Sequence, residues 1–65
     1  MDIQITTYPR WGTADIHAAT AAGLAWLRTF TVLDVSDDTR YITVSADAVP
    51  EYTIGARAAG LEVSA

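Results

Sequence analysis

Polar and apolar residues alternate at the start of the chain, over residues 2–8. Ile3 and Ile5 point to one side of an extended backbone, and the polar residues between and after them point to the other. The pattern therefore predicts a strand with one buried face. Pro9 ends this strand because proline has no N–H to donate to a neighbouring strand.

The next segment has apolar residues at helical spacing, and we predict a helix over about residues 14–28. Thr13 is a favourable N-cap, Asp15 places negative charge in the first turn, and Arg28 complements the helix dipole in the last turn. The predicted inner side of this helix consists of Ile16, Ala19, Thr20, Gly23, Trp26 and Leu27.

Two segments rich in β-branched and aromatic residues, 30–35 and 40–45, flank the turn-forming residues 36–39. A connection this short predicts an antiparallel hairpin, in which Leu33 lies opposite Ile42.

Asp47 is a favourable N-cap for a second helix, and Pro50 then falls in the first turn, where its missing N–H costs little. Gly60 ends this helix as a C′ residue. Residues 61–63 alternate again and predict a short final strand.

The resulting order, strand–helix–strand–strand–helix–strand, resembles the ferredoxin-like superfold over the whole chain. The sequence AAGLEV, at residues 58–63, is typical of the exit from its second helix into its last strand. The resemblance implies one α+β domain, residues 1–65, with two helices on one face of a four-stranded antiparallel sheet. If the last strand does not form, the alternative is β-α-β-β-α with a loose C-terminal tail. A fold of this kind does not identify a function.

This arrangement gives the sheet a buried face and an open face. The predicted core consists of Ile3, Ile5, Ile16, Leu27, Leu33, Val35, Ile42, Val44, Val49, Tyr52 and Leu61. The predicted open face carries Gln4, Thr6, Tyr8, Phe30, Val32, Asp34, Tyr41, Thr43 and Glu62. Phe30, Val32 and Tyr41 form an apolar patch there, and such patches often mark interaction sites.

Size and composition narrow the function classes. A chain of 65 residues buries only about 60% of the surface of its unfolded form, so small proteins often need disulfides, metals or partner subunits. The sequence has no cysteine and one histidine, His17, which argues against a disulfide, a metal site or a cofactor held by such ligands. We therefore expect a protein partner or a homodimer.

Charge and hydropathy exclude two further kinds of partner. The net charge is −4, with four arginines and no lysine, whereas a nucleic-acid binder needs a positive surface. The longest apolar stretch is about half the length that crosses a bilayer, and the N-terminus has no signal-peptide pattern. We expect a cytoplasmic protein that binds neither nucleic acid nor membrane.

The sequence contains no recognisable catalytic constellation. His17 is the only imidazole, and Asp15, two residues earlier, falls on a different side of the predicted helix. A catalytic triad needs a base that a third group orients, so we do not expect an enzyme.

The segment Tyr8-Pro9-Arg10-Trp11-Gly12 is the first candidate for partner binding. We expect Trp11 to cover the end of the core, whereas Tyr8 and Arg10 have no structural role that the sequence explains. The complete set of candidate partner-binding residues is Tyr8, Arg10, Trp11, Phe30, Val32 and Tyr41.

Small residues on the first predicted helix are the second candidate. They favour either close packing between the two helices or a contact between subunits. The candidate residues for an oligomer contact are Ala18, Ala21, Ala22, Ala25 and Ile54.

The leading hypothesis is a small non-enzymatic protein–protein interaction module that forms a homodimer. Its size and acidity are compatible with a phage-encoded protein that binds and modulates a host protein. The alternative is a small-molecule-sensing or regulatory domain. Its anionic ligand would bind the loop of residues 8–12 together with the N-terminus of the first helix, where backbone N–H groups favour anions.

Overall fold

The computed structural model describes residues 1–31 and 34–65, which form four strands and two α-helices. The elements are β1 (Ile3–Tyr8), β2 (Thr13–Ala18), α1 (Ala21–Phe30), β3 (Tyr41–Ser45), α2 (Val49–Ala58) and β4 (Val63–Ser64), with a short 3₁₀ helix (Ala46–Ala48) leading into α2.

The four strands form one mixed sheet in the order β3-β2-β1-β4. Strands β1 and β2 are an antiparallel hairpin, in which Ile5 lies opposite Ile16. Strand β3 is antiparallel to β2, with Ile42 opposite Ile16. Strand β4 is parallel to β1, with Val63 beside Ile3.

The core lies on one face of this sheet, under both helices. Leu27 of α1 and Tyr52 and Ala56 of α2 belong to the same buried cluster as the inward residues of the strands. The buried residues are Ile3, Ile5, Ala14, Ile16, Ala18, Leu27, Val35, Ile42, Tyr52 and Ala56, and the predicted core residues Val44, Val49 and Leu61 pack against them while partly buried. Leu33 lies outside the described residues.

At the Ile3 end of the sheet, hydrogen bonds to Asp2 hold neighbouring elements together. Its carboxylate accepts hydrogen bonds from the Thr20 hydroxyl (2.8 Å) and the Glu62 backbone N–H (3.0 Å). The Thr20 hydroxyl oxygen in turn accepts from the Gly23 N–H as the N-cap of α1. Asp2 therefore joins β1, the start of α1 and the approach to β4.

Our prediction of a helix over residues 14–28 is wrong in its first part. Residues 13–18 form strand β2, in which Ala14, Ile16 and Ala18 are buried and the residues between them face the open side. Pairing with β1 on one side and β3 on the other outweighs the helix propensity of the alanines. The helix begins at residue 21, with Thr20 and not Thr13 as its N-cap.

The predicted hairpin of residues 30–35 with 40–45 is not found in the described residues. Phe30 is the last residue of α1, residues 34–36 form no strand, and β3 pairs with β2. Val32 and Leu33 lie outside the described residues. The order of elements is thus β-β-α-β-α-β, and the predicted β-α-β-β-α-β order and fully antiparallel sheet are wrong.

Other predictions are confirmed. The protein is an α+β chain with four strands and two helices on one face of the sheet. Gly60 follows α2 with a φ of 83°, as expected of a C′ glycine. The C-terminal strand also forms. Our prediction of Asp47 as the N-cap of the second helix is wrong, because α2 begins at Val49 with Ala48 as its N-cap. Asp47 lies inside the preceding 3₁₀ helix, where its N–H donates to the hydroxyl of the N-cap Ser45.

Candidate partner-binding surface

The β1–β2 connection is a tight loop at the end of the sheet opposite Asp2. Within it, the Trp11 N–H donates to the Tyr8 carbonyl oxygen at 3.0 Å. Gly12 has a φ of 66°, which residues with a side chain adopt rarely. The Gly12 carbonyl oxygen accepts from the Ala46 N–H at 2.9 Å, so the loop is fixed to the start of the 3₁₀ helix.

Trp11 projects from this loop into solvent. Its exposure is 72%, so our prediction that Trp11 covers the end of the core is wrong. The guanidinium carbon of Arg10 lies 5.7 Å from the centre of the Trp11 ring, within cation–π range. Arg10 and Trp11 therefore contact each other in the loop, and neither belongs to the buried core. We call Arg10 and Trp11 the hairpin tip.

The hairpin tip adjoins the sheet face opposite the one that α1 and α2 cover. Strand register places the outward residues of β1, β2 and β3 in three rows across this open face. The rows are Gln4–His17–Tyr41, Thr6–Asp15–Thr43 and Tyr8–Thr13–Ser45. Tyr8 is the last residue of β1 and its carbonyl oxygen accepts from the Trp11 N–H, so it joins the open face to the hairpin tip.

Asp15 is the centre of the open face. Its Oδ1 accepts from the Thr43 hydroxyl at 2.8 Å, and its Oδ2 accepts from the Tyr8 hydroxyl at 3.3 Å. These two bonds connect all three strands through one carboxylate. They also fix the position of the Tyr8 phenol, which is 40% exposed.

The Asp15 carboxylate raises the pKa of the Tyr8 phenol, because a phenolate would form beside an existing negative charge. Partial desolvation, the hydrogen bond to Asp15 and the nearby Tyr41 phenol raise this pKa further. Tyr8 is therefore a neutral hydrogen-bond donor at physiological pH.

Tyr41 is the second aromatic residue of the open face. It lies opposite His17 across the β2–β3 pair and is 42% exposed. Tyr8, Arg10, Trp11 and Tyr41 are thus four predicted partner-binding residues that the structure places on the open face or at its loop end.

The predicted patch of Phe30, Val32 and Tyr41 does not form as expected. Phe30 packs on the helix side of the sheet, with its ring centre 4.7 Å from that of Trp26 and 5.1 Å from that of Tyr52. It is therefore separated from Tyr41 by the sheet. Val32 lies outside the described residues.

The predicted oligomer contact is divided between the core and the helix surface. Ala18 is fully buried in β2 and cannot face a second subunit. Ala21, Ala22 and Ala25 are exposed on α1, and Ile54 of α2 is 69% exposed.

The parts of the predicted anion site also lie apart. The loop of residues 8–12 follows the Tyr8 end of β1, whereas α1 begins beside its Ile3 end, where Thr20 binds Asp2. Five residue steps along a strand separate these ends by about 17 Å. Nearer the loop, the start of α2 carries the acidic residues Asp47 and Glu51, which disfavour an anion.

Residues 1–31 and 34–65 contain no cluster of three or more metal-ligating side chains and enclose no pocket. No helix in the described parts of the chain is long and apolar enough to cross a bilayer.

Sequence reasoning missed Asp15 as a residue of the open face. Asp15 was assigned to the first turn of a helix, so its pairing with Thr43 across two strands was not expected. The alternation of residues 13–18, with Ala14, Ile16 and Ala18 on one side, was the signal that would have revealed this.

Comparison with known proteins adds no relative: no family model, no curated protein and no solved structure matches this chain.

Proposed function

We propose that this chain is a small non-enzymatic protein–protein interaction module, whose partner docks on the open face and the hairpin tip. The observation that carries the proposal is the 72% exposure of Trp11 at the end of an uncovered sheet face. A tryptophan that is buried in its own chain stabilises the fold, but most of the Trp11 side chain lies in solvent, with the Arg10 guanidinium carbon 5.7 Å from its ring centre. Burial against a partner would recover its hydrophobic contribution.

The composition of the surface supports the same proposal. Trp, Tyr and Arg are the residues that most often dominate the binding energy of protein interfaces. Trp11, Arg10, Tyr8 and Tyr41 supply all three types around one face. Aromatic side chains with one polar end suit a surface that is solvated in the free protein and dehydrated in the complex.

The shape of the surface favours a macromolecular partner. Its three rows of side chains lie side by side across the sheet, and residues 1–31 and 34–65 form no pocket that would enclose a small ligand. A partner that lays a comparably flat surface on the sheet fits this geometry. A host protein bound by a phage-encoded module is one biological setting that this proposal allows.

We propose separately that the chain forms a homodimer through the outer side of its helices. The exposed small residues Ala21, Ala22 and Ala25 permit a close approach of two helices, and Ile54 supplies an exposed apolar side chain. Light scattering after size-exclusion chromatography gives the mass directly. A stable monomer at high micromolar concentration would refute this second part and leave the first untouched.

The two surfaces allow a paired test of partner binding. Trp11→Ala alters the hairpin tip, and Ile54→Glu alters an equally exposed residue on the opposite side of the molecule. Wild type and both variants are immobilised at low density, incubated with lysate, and compared by quantitative mass spectrometry. The free energy of unfolding of both variants should lie within about 0.5 kcal/mol of the wild-type value, because neither residue is buried.

We expect Trp11→Ala to lose a specific partner that Ile54→Glu retains, with a loss of about tenfold or more for a central tryptophan. We expect the opposite pattern for the dimer, which Ile54→Glu should disrupt and Trp11→Ala should not. A partner that all three baits capture equally would contradict the assignment of the open face and hairpin tip.

A further inference from the structure

Asp15 is the carboxylate at the centre of the open face, and no cationic side chain among the described residues forms an ion pair with it. The described residues contain two ion pairs, Met1 with Glu62 and Arg28 with Asp37, and neither involves Asp15. Its hydrogen bonds come from two neutral hydroxyl groups, those of Thr43 and Tyr8. The charge of this half-buried carboxylate is therefore solvated but not neutralised within the chain.

The carboxylate also retains capacity to accept further hydrogen bonds. An ionised carboxylate offers about four lone-pair sites on its two oxygens. Thr43 occupies one site on Oδ1 and Tyr8 one on Oδ2. One accepting site on each oxygen is left, which is the number that a bidentate guanidinium requires.

Tyr8 and Tyr41 are the two aromatic neighbours of Asp15 in the strand register of the same face. Tyr8 contacts Asp15 directly, and Tyr41 is its diagonal neighbour across the β2–β3 pair, where Cα atoms lie about 7–8 Å apart. Both rings are about two-fifths exposed, at 40% and 42%. A planar cation held by the carboxylate can therefore stack on an aromatic ring at the same time.

From this juxtaposition we propose that the open face receives an arginine side chain of the protein partner, bound by the Asp15 carboxylate between the rings of Tyr8 and Tyr41. Charge complementarity selects a cation, and the paired oxygens with flanking rings select guanidinium over ammonium, because guanidinium is planar, bidentate and weakly hydrated. The hydroxyl groups of Thr43 and Tyr8 hold the carboxylate in one orientation before the partner arrives.

This inference rests on the proposed function, since it names the chemistry of the partner on the same surface. It can be tested without the partner. The probe is Nα-acetyl-arginine amide, titrated into the isotope-labelled full chain at neutral pH while backbone amide shifts are recorded. Because one exposed ion pair is weak, the titration extends to about 100 mM. The isosteric citrulline compound is the neutral probe, and the lysine compound is the ammonium probe.

We expect arginine-dependent shifts confined to residues around Asp15 and its cross-strand neighbours Thr6 and Thr43. Asp15→Asn, which keeps an acceptor for Thr43, should reduce the fractional shift about threefold to fivefold at equal probe concentration. Asp38→Asn makes the same change in net charge in the exposed turn after α1 and should leave the response unchanged. The amide spectrum itself reports whether each variant is folded.

Four results would overturn the proposal: no shifts at the highest concentration, equal shifts from citrulline, equal shifts from lysine, or an unchanged response in Asp15→Asn. None of these outcomes depends on partner capture. If the titration fails but Trp11→Ala loses a captured partner, the arginine site is refuted and the proposed partner surface stands. If the titration succeeds but no variant changes partner capture, the proposed partner surface is refuted and the binding of guanidinium at Asp15 stands.

Discussion

The two ends of strand β1 are built in different ways. At the Ile3 end, polar groups satisfy one another: Asp2 binds Thr20 and the Glu62 N–H, and its carbonyl oxygen accepts from Ala19. At the Tyr8 end, the backbone of the loop is fixed, yet Trp11 is 72% exposed. The first end uses its side chains to hold elements together. The second end fixes its loop backbone but leaves the Trp11 side chain in solvent, and this difference is our reason for placing partner binding there.

Close packing at the Ile3 end gives the largest predicted effect. A Cβ atom at Gly23 would overlap the carbonyl oxygen of Asp2, which the Ala19 N–H holds in place. Gly23→Ala should therefore lower the free energy of unfolding by about 1–3 kcal/mol, although alanine is ordinarily the better helix residue. Urea denaturation measures this. An unchanged or higher stability would show that the contact is loose.

The helix cap at the same end should have the next largest effect. Thr20→Ala removes the acceptor for the Gly23 N–H and the donor to Asp2, and should cost about 1 kcal/mol in the free energy of unfolding. Thr20→Ser keeps the hydroxyl and is the matched control. Equal losses in both variants would assign the effect to the methyl group and not to the cap.

The pH dependence of stability should also report on the Ile3 end. The backbone N–H of Glu62, and then the Thr20 hydroxyl, hold the pKa of the Asp2 carboxyl below its usual range. This stabilisation is complete above the unfolded pKa of about 3.9 and is lost as the pH falls through the lower folded value. Stability should thus decline below about pH 4, and Asp2→Asn should flatten the decline. Parallel curves for the two proteins would contradict this.

At the Tyr8 end, removal of the Asp15 charge should change the pKa of Tyr8 and leave the free energy of unfolding almost unchanged. Asp15→Asn removes the negative charge that contributes most to the raised pKa of Tyr8, so this pKa should move down towards the ordinary value for tyrosine. Ultraviolet absorbance of the ionised phenol measures the change, with Asp38→Asn as the control for net charge. If both variants give the same titration, the Tyr8–Asp15 contact does not persist in solution.

The sequence predicts strand β1 and the strand and helix elements from β3 onward, and misreads residues 13–20 between β1 and α1. The alternation of β1 and the helix end at Gly60 are local signals, and both predictions were correct. Strand β2 has equally regular alternation, but Ala14 and Ala18 resemble helix residues and Thr13 resembles an N-cap. Only pairing with β1 and β3 decides between the two, and that pairing is non-local.

The sequence predicts some residues of the candidate site and misassigns others. The sequence indicates no structural role for Tyr8 and Arg10, and the structure has Tyr8 on the open face and Arg10 in the adjoining loop. Trp11 was assigned to the core because large apolar residues are usually buried, a tendency that a tight hairpin loop overrides. Asp15 was missed because a strand residue was interpreted as a helix residue.

The most direct test of the central claim is photo-crosslinking at defined positions. A benzophenone amino acid replaces Trp11, Tyr41, Ile54 or Ala22 in turn, so that two probes lie at the hairpin tip or open face and two on the outer side of the helices. We predict that irradiation in lysate links the partner to the probes at positions 11 and 41 and not to those at 54 and 22. A partner crosslinked only from positions 54 and 22 would contradict the claim, because it would place binding on the helices and not on the open face.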